Sequence, residues 1–188
     1  MNLDMRWQAF KWRAFAYIAL GMRTRAADEF EEMLLAYPND PYVLSSLAYL
    51  KTEMGDKPGA IAMYKKVVLG ASAGAQDWYN LGFLQEELGQ IDDAEISMRK
   101  AIALDEKLDQ AWYGLGLVLI QQNRLDEALT ALKKNTQLQP MSPYAWYQMA
   151  RVYVDNQQPD KALKIITHLK GFEPKFAAQL ERETGLTG

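Results

Sequence analysis

The chain has 188 residues, of which 49% are hydrophobic and 24% charged, and its formal net charge at pH 7 is −3. This composition is typical of a folded globular protein and disfavours a disordered chain. Because it contains no cysteine and His168 is its single histidine, disulfides, thiolate sites and multi-histidine metal sites are excluded. We therefore predict no cofactor, no metal and no enzymatic activity.

The charge distribution disfavours nucleic acid as a partner. A sequence pI near 5.3 is the opposite of what phosphate binding requires. Residues 1–27 are nevertheless basic, since they carry Arg6, Lys11, Arg13, Arg23 and Arg25 against Asp4. No apolar run is long enough for a transmembrane segment, and no signal peptide is recognisable. We expect a cytoplasmic protein, with peripheral association left open.

An internal period of 34 residues organises the chain. Trp78, Trp112 and Trp146 recur at this interval, each followed by tyrosine. A second series at the same interval is Ala26, Ala60, Ala94, Ala128 and Ala162. These series divide the chain into repeats 7–40, 41–74, 75–108, 109–142 and 143–176, with 177–188 as a capping helix or tail. A fixed period of this length is typical of a solenoid. We predict a single array over residues 1–188.

Each repeat is predicted to form two helices, helix A followed by helix B. Large and small apolar residues recur at helical spacing in both halves. Helix A is expected to end where a residue that tolerates the left-handed conformation recurs, at Gly21, Gly55, Gly89 and Asn123. Helix starts are marked by Asp40-Pro41 and Ser142-Pro143 for helix A, and by Pro58 and Pro159 for helix B.

The first repeat begins with a basic and unusually aromatic segment, MRWQAFKWRAFAYIAL. Trp7 and Trp12 exceed what one terminal helix needs, so this end could contact another subunit, a partner or an anionic surface. The alternative is that residues 1–6 cap the helix themselves. Both interpretations remain open from the sequence.

The later repeats resemble the tetratricopeptide repeat family, whose signature includes W-x-x-L-G. The matching residues read W-Y-N-L-G at 78–82 and W-Y-G-L-G at 112–116, with prolines at 38, 140 and 174 in the closing position. Arg13 departs from the pattern, because it stands where leucine is expected. The resemblance implies an all-α fold, a right-handed α-solenoid of about five helix–turn–helix repeats plus a C-terminal capping helix.

The resemblance also implies a concave groove that receives a peptide or helix of a partner protein. Carried over to this sequence, the groove residues are Lys11, Phe15, Tyr42, Tyr49, Gln76, Tyr79, Asn80, Phe83, Gln110, Tyr113, Leu117, Tyr144, Tyr147 and Arg151. The tyrosines at 79, 113 and 147 could equally be part of the repeat pattern. Large apolar residues at 15, 49, 83 and 117 are better indications of a partner.

Some members of the family bind a terminal carboxylate through a lysine, asparagine and arginine clamp. Lys11, Asn80 and Arg151 are spread over three non-adjacent repeats and do not match its spacing. We therefore predict a protein-interaction scaffold or adaptor of a different binding mode. The alternative is a self-assembling structural oligomer, or a co-chaperone-like assembly factor.

Overall fold

The computed structural model describes residues 3–187, with side chains from residue 5 onwards. These residues form eleven helices and contain no strand, which confirms the predicted all-α class. The chain divides into two compact units, residues 1–90 and residues 91–188. Each unit has its own arrangement of helices and is described separately below.

The first unit contains five helices. They are α1 (Leu3–Ala19), α2 (Arg23–Ala36), α3 (Pro41–Glu53), α4 (Lys57–Leu69) and α5 (Ala75–Glu87). Consecutive helices pack on one another, so that each B helix lies against the A helix before it and the A helix after it. The buried cluster around Phe30 and Met33 of α2 joins Phe10 and Ala14 of α1 to α3. Helices that are marginal alone bury their apolar faces in this way.

The second unit contains six helices. They are α6 (Ile91–Leu104), α7 (Asp109–Gln121), α8 (Leu125–Leu138), α9 (Pro143–Asp155), α10 (Pro159–Lys170) and α11 (Pro174–Thr184). The last helix packs on both α10 and α9. Its Ala177 and Leu180 are fully buried in the cluster that holds Ile165, Ile166 and Leu169. The tail is therefore an amphipathic helix that closes the core at this end.

The A helices of the five repeats are α1, α3, α5, α7 and α9. Each of them is followed, at the same repeat position, by a residue in the left-handed backbone conformation. Gly21, Gly55 and Gly89 have φ of 72°, 80° and 72°, and Asn123 has 59°, as the sequence predicted. The fifth instance is Gln157 with φ of 55°, which the sequence pattern did not identify. Glutamine adopts this conformation at a cost that glycine avoids.

The predicted helix starts are also found, with one difference in capping. Asp40 is the N-cap of α3, where its carboxylate accepts from the Val43 amide at 3.1 Å. Asp56 caps α4 in the same way through Gly59 at 3.0 Å, a bond that the sequence analysis missed. Ser142 occupies the N-cap position of α9 without a side-chain bond.

Close helix approach depends on the small residues at the eighth repeat position. At Gly116 an added Cβ would lie 2.6 Å from Leu132 Cδ2 and 2.7 Å from its Cγ. Ala14, Ala48 and Ala150 occupy the same position and are fully buried. The recurrence of Ala or Gly therefore reflects the contact between helix A and helix B of a repeat.

Candidate partner-binding face

Four of the predicted residues on α1 and α3 form a contiguous cluster. The ring centroids of Trp7 and Tyr42 are 5.5 Å apart. The Lys11 ammonium lies over three rings, 4.7 Å from the Tyr42 centroid, 5.0 Å from Trp7 and 5.8 Å from Phe15. Cation–π attraction therefore holds the lysine among the aromatic rings. The first repeat thus joins the second through side chains predicted to bind a partner.

The two tryptophans of α1 have different environments. Trp7 is half-buried on the core cluster of this unit and donates from Nε1 to Asp40 Oδ2 at 3.1 Å. Asp40 also caps α3, so the indole fixes the start of that helix. Trp12 is exposed, and its only aromatic neighbour within the described residues is Phe15 at 6.4 Å. Trp7 has an internal structural role, whereas Trp12 is available for contact.

Three aromatic side chains at the ninth repeat position of successive A helices are exposed. The exposed fractions are 43% for Phe15 on α1, 58% for Tyr49 on α3 and 41% for Phe83 on α5. We refer to these three residues as the ring series. Phe83 stacks on Tyr79, with centroids 6.2 Å apart and an interplanar angle of 29°.

Hydrogen-bonded amides lie beside the ring series on α5. Asn80 donates from Nδ2 to the Tyr64 hydroxyl at 3.2 Å and accepts from Gln76 Nε2 at 3.0 Å. Burial raises the pKa of the Tyr64 phenol. The bonds fix the orientation of Asn80 and leave its second amide hydrogen for another acceptor. Gln76 is exposed and Asn80 half-buried.

In the second unit the predicted residues lie on α7 and α9. Gln110 is exposed, whereas Tyr113 and Leu117 are half-buried. Tyr113 makes an edge contact with Tyr144 at 6.5 Å, and Tyr144 in turn meets Phe176 of α11 edge-on at 5.5 Å. The predicted face of this unit therefore continues directly onto the chain's last helix.

Tyr147 is bonded to α11 by its hydroxyl. It donates to Glu183 Oε2 at 2.5 Å and accepts from Gln179 Nε2 at 3.0 Å, and its ring meets Phe176 edge-on at 5.9 Å. Burial raises the pKa of the Tyr147 phenol, and the Glu183 carboxylate raises it further. The bonds from Tyr147 and Gln179 lower the pKa of Glu183.

The remaining predicted residue, Arg151, is exposed with its guanidinium 5.9 Å from the centre of the Tyr147 ring. Phe176, Gln179 and Glu183 were not predicted to contact this face, although Phe176 is on the apolar side of the tail helix in the sequence pattern. The i, i+3, i+7 spacing of these residues on one helix face was the available signal. This spacing did not indicate that the face of α11 contacts α9.

Within residues 3–187 no group of three or more histidine or acidic side chains is placed to hold a metal ion. No helix of the same range has the length and apolarity needed to cross a membrane.

Solved structures similar to this chain are helical repeat proteins. A crystal structure of MamA shares 25% identity over 92% of this chain and 96% of its own, with a TM-score of 0.79. YrrB, described as "a TPR protein with an unusual peptide-binding site", shares 20% identity over 90% of this chain and 88% of its own, with a TM-score of 0.81. A tetratricopeptide repeat protein from Parabacteroides merdae ATCC 43184 shares 18% identity over 95% and 73%, with a TM-score of 0.83.

Family comparisons agree with these structures. No curated protein matches the chain. A tetratricopeptide repeat model matches residues 8–40, including the divergent first repeat. The model of the Cilia and flagella-associated protein 70 middle TPR-like domain matches residues 27–170. The α-solenoid fold class is thereby confirmed, and the chain belongs to the tetratricopeptide repeat family that this middle TPR-like domain represents.

Proposed function

We propose that this protein is an interaction scaffold or adaptor that binds an extended peptide or a helix of a partner protein across the A helices of residues 3–90. The observation that carries the proposal is the ring series, Phe15, Tyr49 and Phe83. These side chains recur on α1, α3 and α5 and stay exposed although each of these helices also buries apolar side chains. We also keep as a proposal that residues 1–188 form a single array.

The chemistry of the face suits a peptide. Aromatic rings supply contact area with few rotatable bonds, so little conformational entropy is lost on binding. Asn80, held by Tyr64 and Gln76, supplies a pre-oriented amide for a peptide backbone. Lys11 supplies a positive charge at the α1 end. An apolar segment with one acidic side chain near its end is the ligand that these groups favour.

The comparisons support a binding function of this kind. YrrB carries a peptide-binding site according to its description, and its fold is shared by this chain. The repeats of this family serve in general as interaction modules, so we propose a non-enzymatic role. The groove residues in α7 and α9 belong to the proposal as well, although Tyr147 already contacts α11.

A displayed library of random twelve-residue peptides tests the proposal without a known partner. Peptides selected on the wild-type chain are measured by fluorescence anisotropy against Tyr49→Ala and Phe83→Ala. Truncation of a binding-site aromatic residue typically costs about 2 kcal/mol, so we expect roughly thirtyfold weaker binding.

The matched control is Leu69→Ala, which removes an exposed apolar side chain from outside the ring series. It should bind the selected peptides as the wild type does. Circular dichroism checks that all variants retain their helices. Selected peptides that bind Tyr49→Ala and Phe83→Ala at full strength would show that the site lies elsewhere.

Self-assembly is the second candidate function, because α1 exposes Trp12 and other large apolar side chains. In that case the first repeat contacts the face of another copy, forming a structural oligomer or an assembly factor. Light scattering over a range of concentrations tests it. A monomer at every concentration argues against self-assembly and leaves the peptide-binding proposal unaffected.

A further inference from the structure

One face of every A helix after α1 is covered by the helix that precedes it. The seventh and tenth repeat positions define this face, and all of their side chains are buried: Leu47 and Leu50, Leu81 and Leu84, Leu115 and Val118, Met149 and Val152. On α3 the covering residues are Phe30 and Met33 of α2, and on α5 they are Ile61 and Tyr64 of α4. The covering helix thus presents two large apolar residues three positions apart.

On α1 no helix of residues 3–187 covers the same face. Arg13 and Ala16 occupy the seventh and tenth positions, and both are exposed. The large apolar side chains beside them are also exposed, Met5 by 59%, Trp12 by 68% and Leu20 by 72%. We define the outer face of α1 as Met5, Ala9, Trp12, Ala16 and Leu20, which follow one another at helical spacing.

The outer face lies opposite the residues that α1 already buries, Phe10 and Ala14. A helix that is apolar on both sides is normally covered on both sides. Ala9 and Ala16 alternate with the large residues, and small residues allow a helix backbone to approach closely. They would add little apolar area for insertion into a lipid surface. This pattern favours a helix over a membrane as the occupant.

Charge indicates what kind of helix fits. Arg6 and Arg13 flank the outer face, and Arg23 and Arg25 follow just beyond its end. Arg13 already pairs with Glu29 and Glu32 of α2 at 2.6 and 3.7 Å, and Arg23 pairs with Glu53 at 3.7 Å, which shows how carboxylates on neighbouring helices meet these arginines. Two copies joined through their outer faces would bring these arginines together, which is unfavourable. The complementary helix carries acidic side chains.

We propose that the outer face of α1 binds an acidic amphipathic helix of a partner protein, which packs on α1 as α2 packs on α3. The partner helix presents two large apolar residues three positions apart and carboxylates toward Arg6 and Arg13. The bound helix would cover on α1 the face that α2 covers on α3. Trp12 borders Phe15 of the ring series, with ring centroids 6.4 Å apart, so the two proposals are distinguished by Tyr49 and Phe83, which lie on α3 and α5.

A synthetic peptide of residues 26–37 provides a direct probe, because it contains Phe30, Met33 and four acidic residues, Asp28, Glu29, Glu31 and Glu32. Fluorescence anisotropy of the labelled peptide is measured with the full chain. We expect saturable binding that Trp12→Glu or Leu20→Glu weakens about tenfold or more. A peptide with its four acidic residues changed to lysine should bind about tenfold more weakly or worse.

Two controls keep the outcome interpretable. Trp12 and Leu20 are exposed, so the melting temperatures of both variants should equal that of the wild type. Phe83→Ala should bind the peptide fully, which separates this site from the ring series. The absence of saturable binding to the wild type, or equal binding by Trp12→Glu, would overturn the proposal.

Two other occupants would also overturn it. The first is a lipid surface. It would be identified if the peptide does not bind and phosphatidylglycerol vesicles bind the wild type but not Trp12→Glu. A dimer seen by light scattering and abolished by Trp12→Glu would identify a second copy.

Discussion

The A helices of the two units carry different side chains on the predicted binding face. In residues 3–90 the ninth repeat position holds the exposed ring series, and its neighbour Asn80 keeps hydrogen-bonding capacity. In residues 91–187 the ninth position holds half-buried Leu117 and exposed Arg151, and Tyr147 at the fifth position is bonded by Gln179 and Glu183 of α11. The first unit therefore has an exposed aromatic series, whereas the second has a tyrosine bonded to the following helix.

The contacts of α11 indicate what kind of ligand the face can bind. Three groups of α11 contact Tyr147: the Phe176 ring edge-on, the Gln179 amide and the Glu183 carboxylate. The repeat scaffold thus accommodates an amphipathic helix on its A-helix side when apolar and polar groups are correctly spaced. The open face of the first unit has comparable rings without such a helix within the described residues, which is why we place the partner there.

The largest expected loss of unfolding free energy comes from weakening the packing of α11 on the second unit. Leu180→Ala removes a fully buried side chain of α11 from the cluster with Ile165, Ile166 and Leu169. Substitutions of this kind cost about 3 kcal/mol of unfolding free energy. Urea denaturation measures the loss, and hydrogen exchange should locate it in α9 to α11. Leu104→Ala, at an exposed position of the same unit, should change stability by less than about 0.5 kcal/mol.

A smaller loss of unfolding free energy is expected at the eighth repeat position, where some repeats have glycine and others alanine. Gly116→Ala places a methyl group 2.6 Å from Leu132 Cδ2, whereas Ala48 of the first unit already has one. Overpacking of a buried residue costs about 1–3 kcal/mol, of which better helix propensity returns about 1 kcal/mol. Gly114→Ala meets the flexible end of Met98 instead, so its loss in urea denaturation should be smaller. Equal losses would contradict a specific role for Leu132.

Replacing the left-handed residue at the end of α9 with glycine is expected to raise the free energy of unfolding by about 1 kcal/mol. The first unit has glycine at all three left-handed positions, whereas the second has Asn123 and Gln157. Gln157→Gly relieves the left-handed cost and should raise the melting temperature, with a smaller gain for Asn123→Gly. The reverse change, Gly55→Gln, should lower it, because space is available around Gly55 and the cost is conformational. A lower melting temperature for Gln157→Gly would show that the glutamine side chain has a stabilising role.

The smallest expected effect depends on pH. Bonds from Tyr147 and Gln179 lower the pKa of Glu183 in the folded protein. Their contribution to stability is therefore fully present above the pKa of a glutamate in the unfolded chain, about 4.3. It is lost as pH falls through the lowered pKa. Tyr147→Phe should therefore destabilise the protein at neutral pH, and the difference from wild type should shrink toward about pH 3. Urea denaturation at both pH values measures it, and a difference independent of pH would exclude Glu183 as its source.

Most of the fold could be predicted because the repeat imposes its period on every helix. The positions that end helix A, the small residues of the A–B contact and the prolines at helix starts follow directly from local conformational preferences. Gln157 escaped prediction because glutamine has no intrinsic preference for the left-handed region. Only the repetition of geometry across the five repeats forces it there.

The candidate site could be predicted only in part. Resemblance identified the side of helix A, yet the exposure of each residue depends on its neighbours. Trp7 and Trp12 look alike in the sequence, but Trp7 lies against Tyr42 and Asp40, whereas Trp12 projects outward. Tyr147 and Tyr79 share a repeat position, but only Tyr147 is contacted by α11.

The helical repeat follows from local sequence features, since periodic apolar residues, caps and helix-ending positions act over a few residues at a time. Which apolar side chains remain exposed to a partner depends on how the helices pack. Whether a ring is buried depends on a helix far away in the sequence, as α11 shows for Tyr147 and the uncovered face of α1 shows for Trp12.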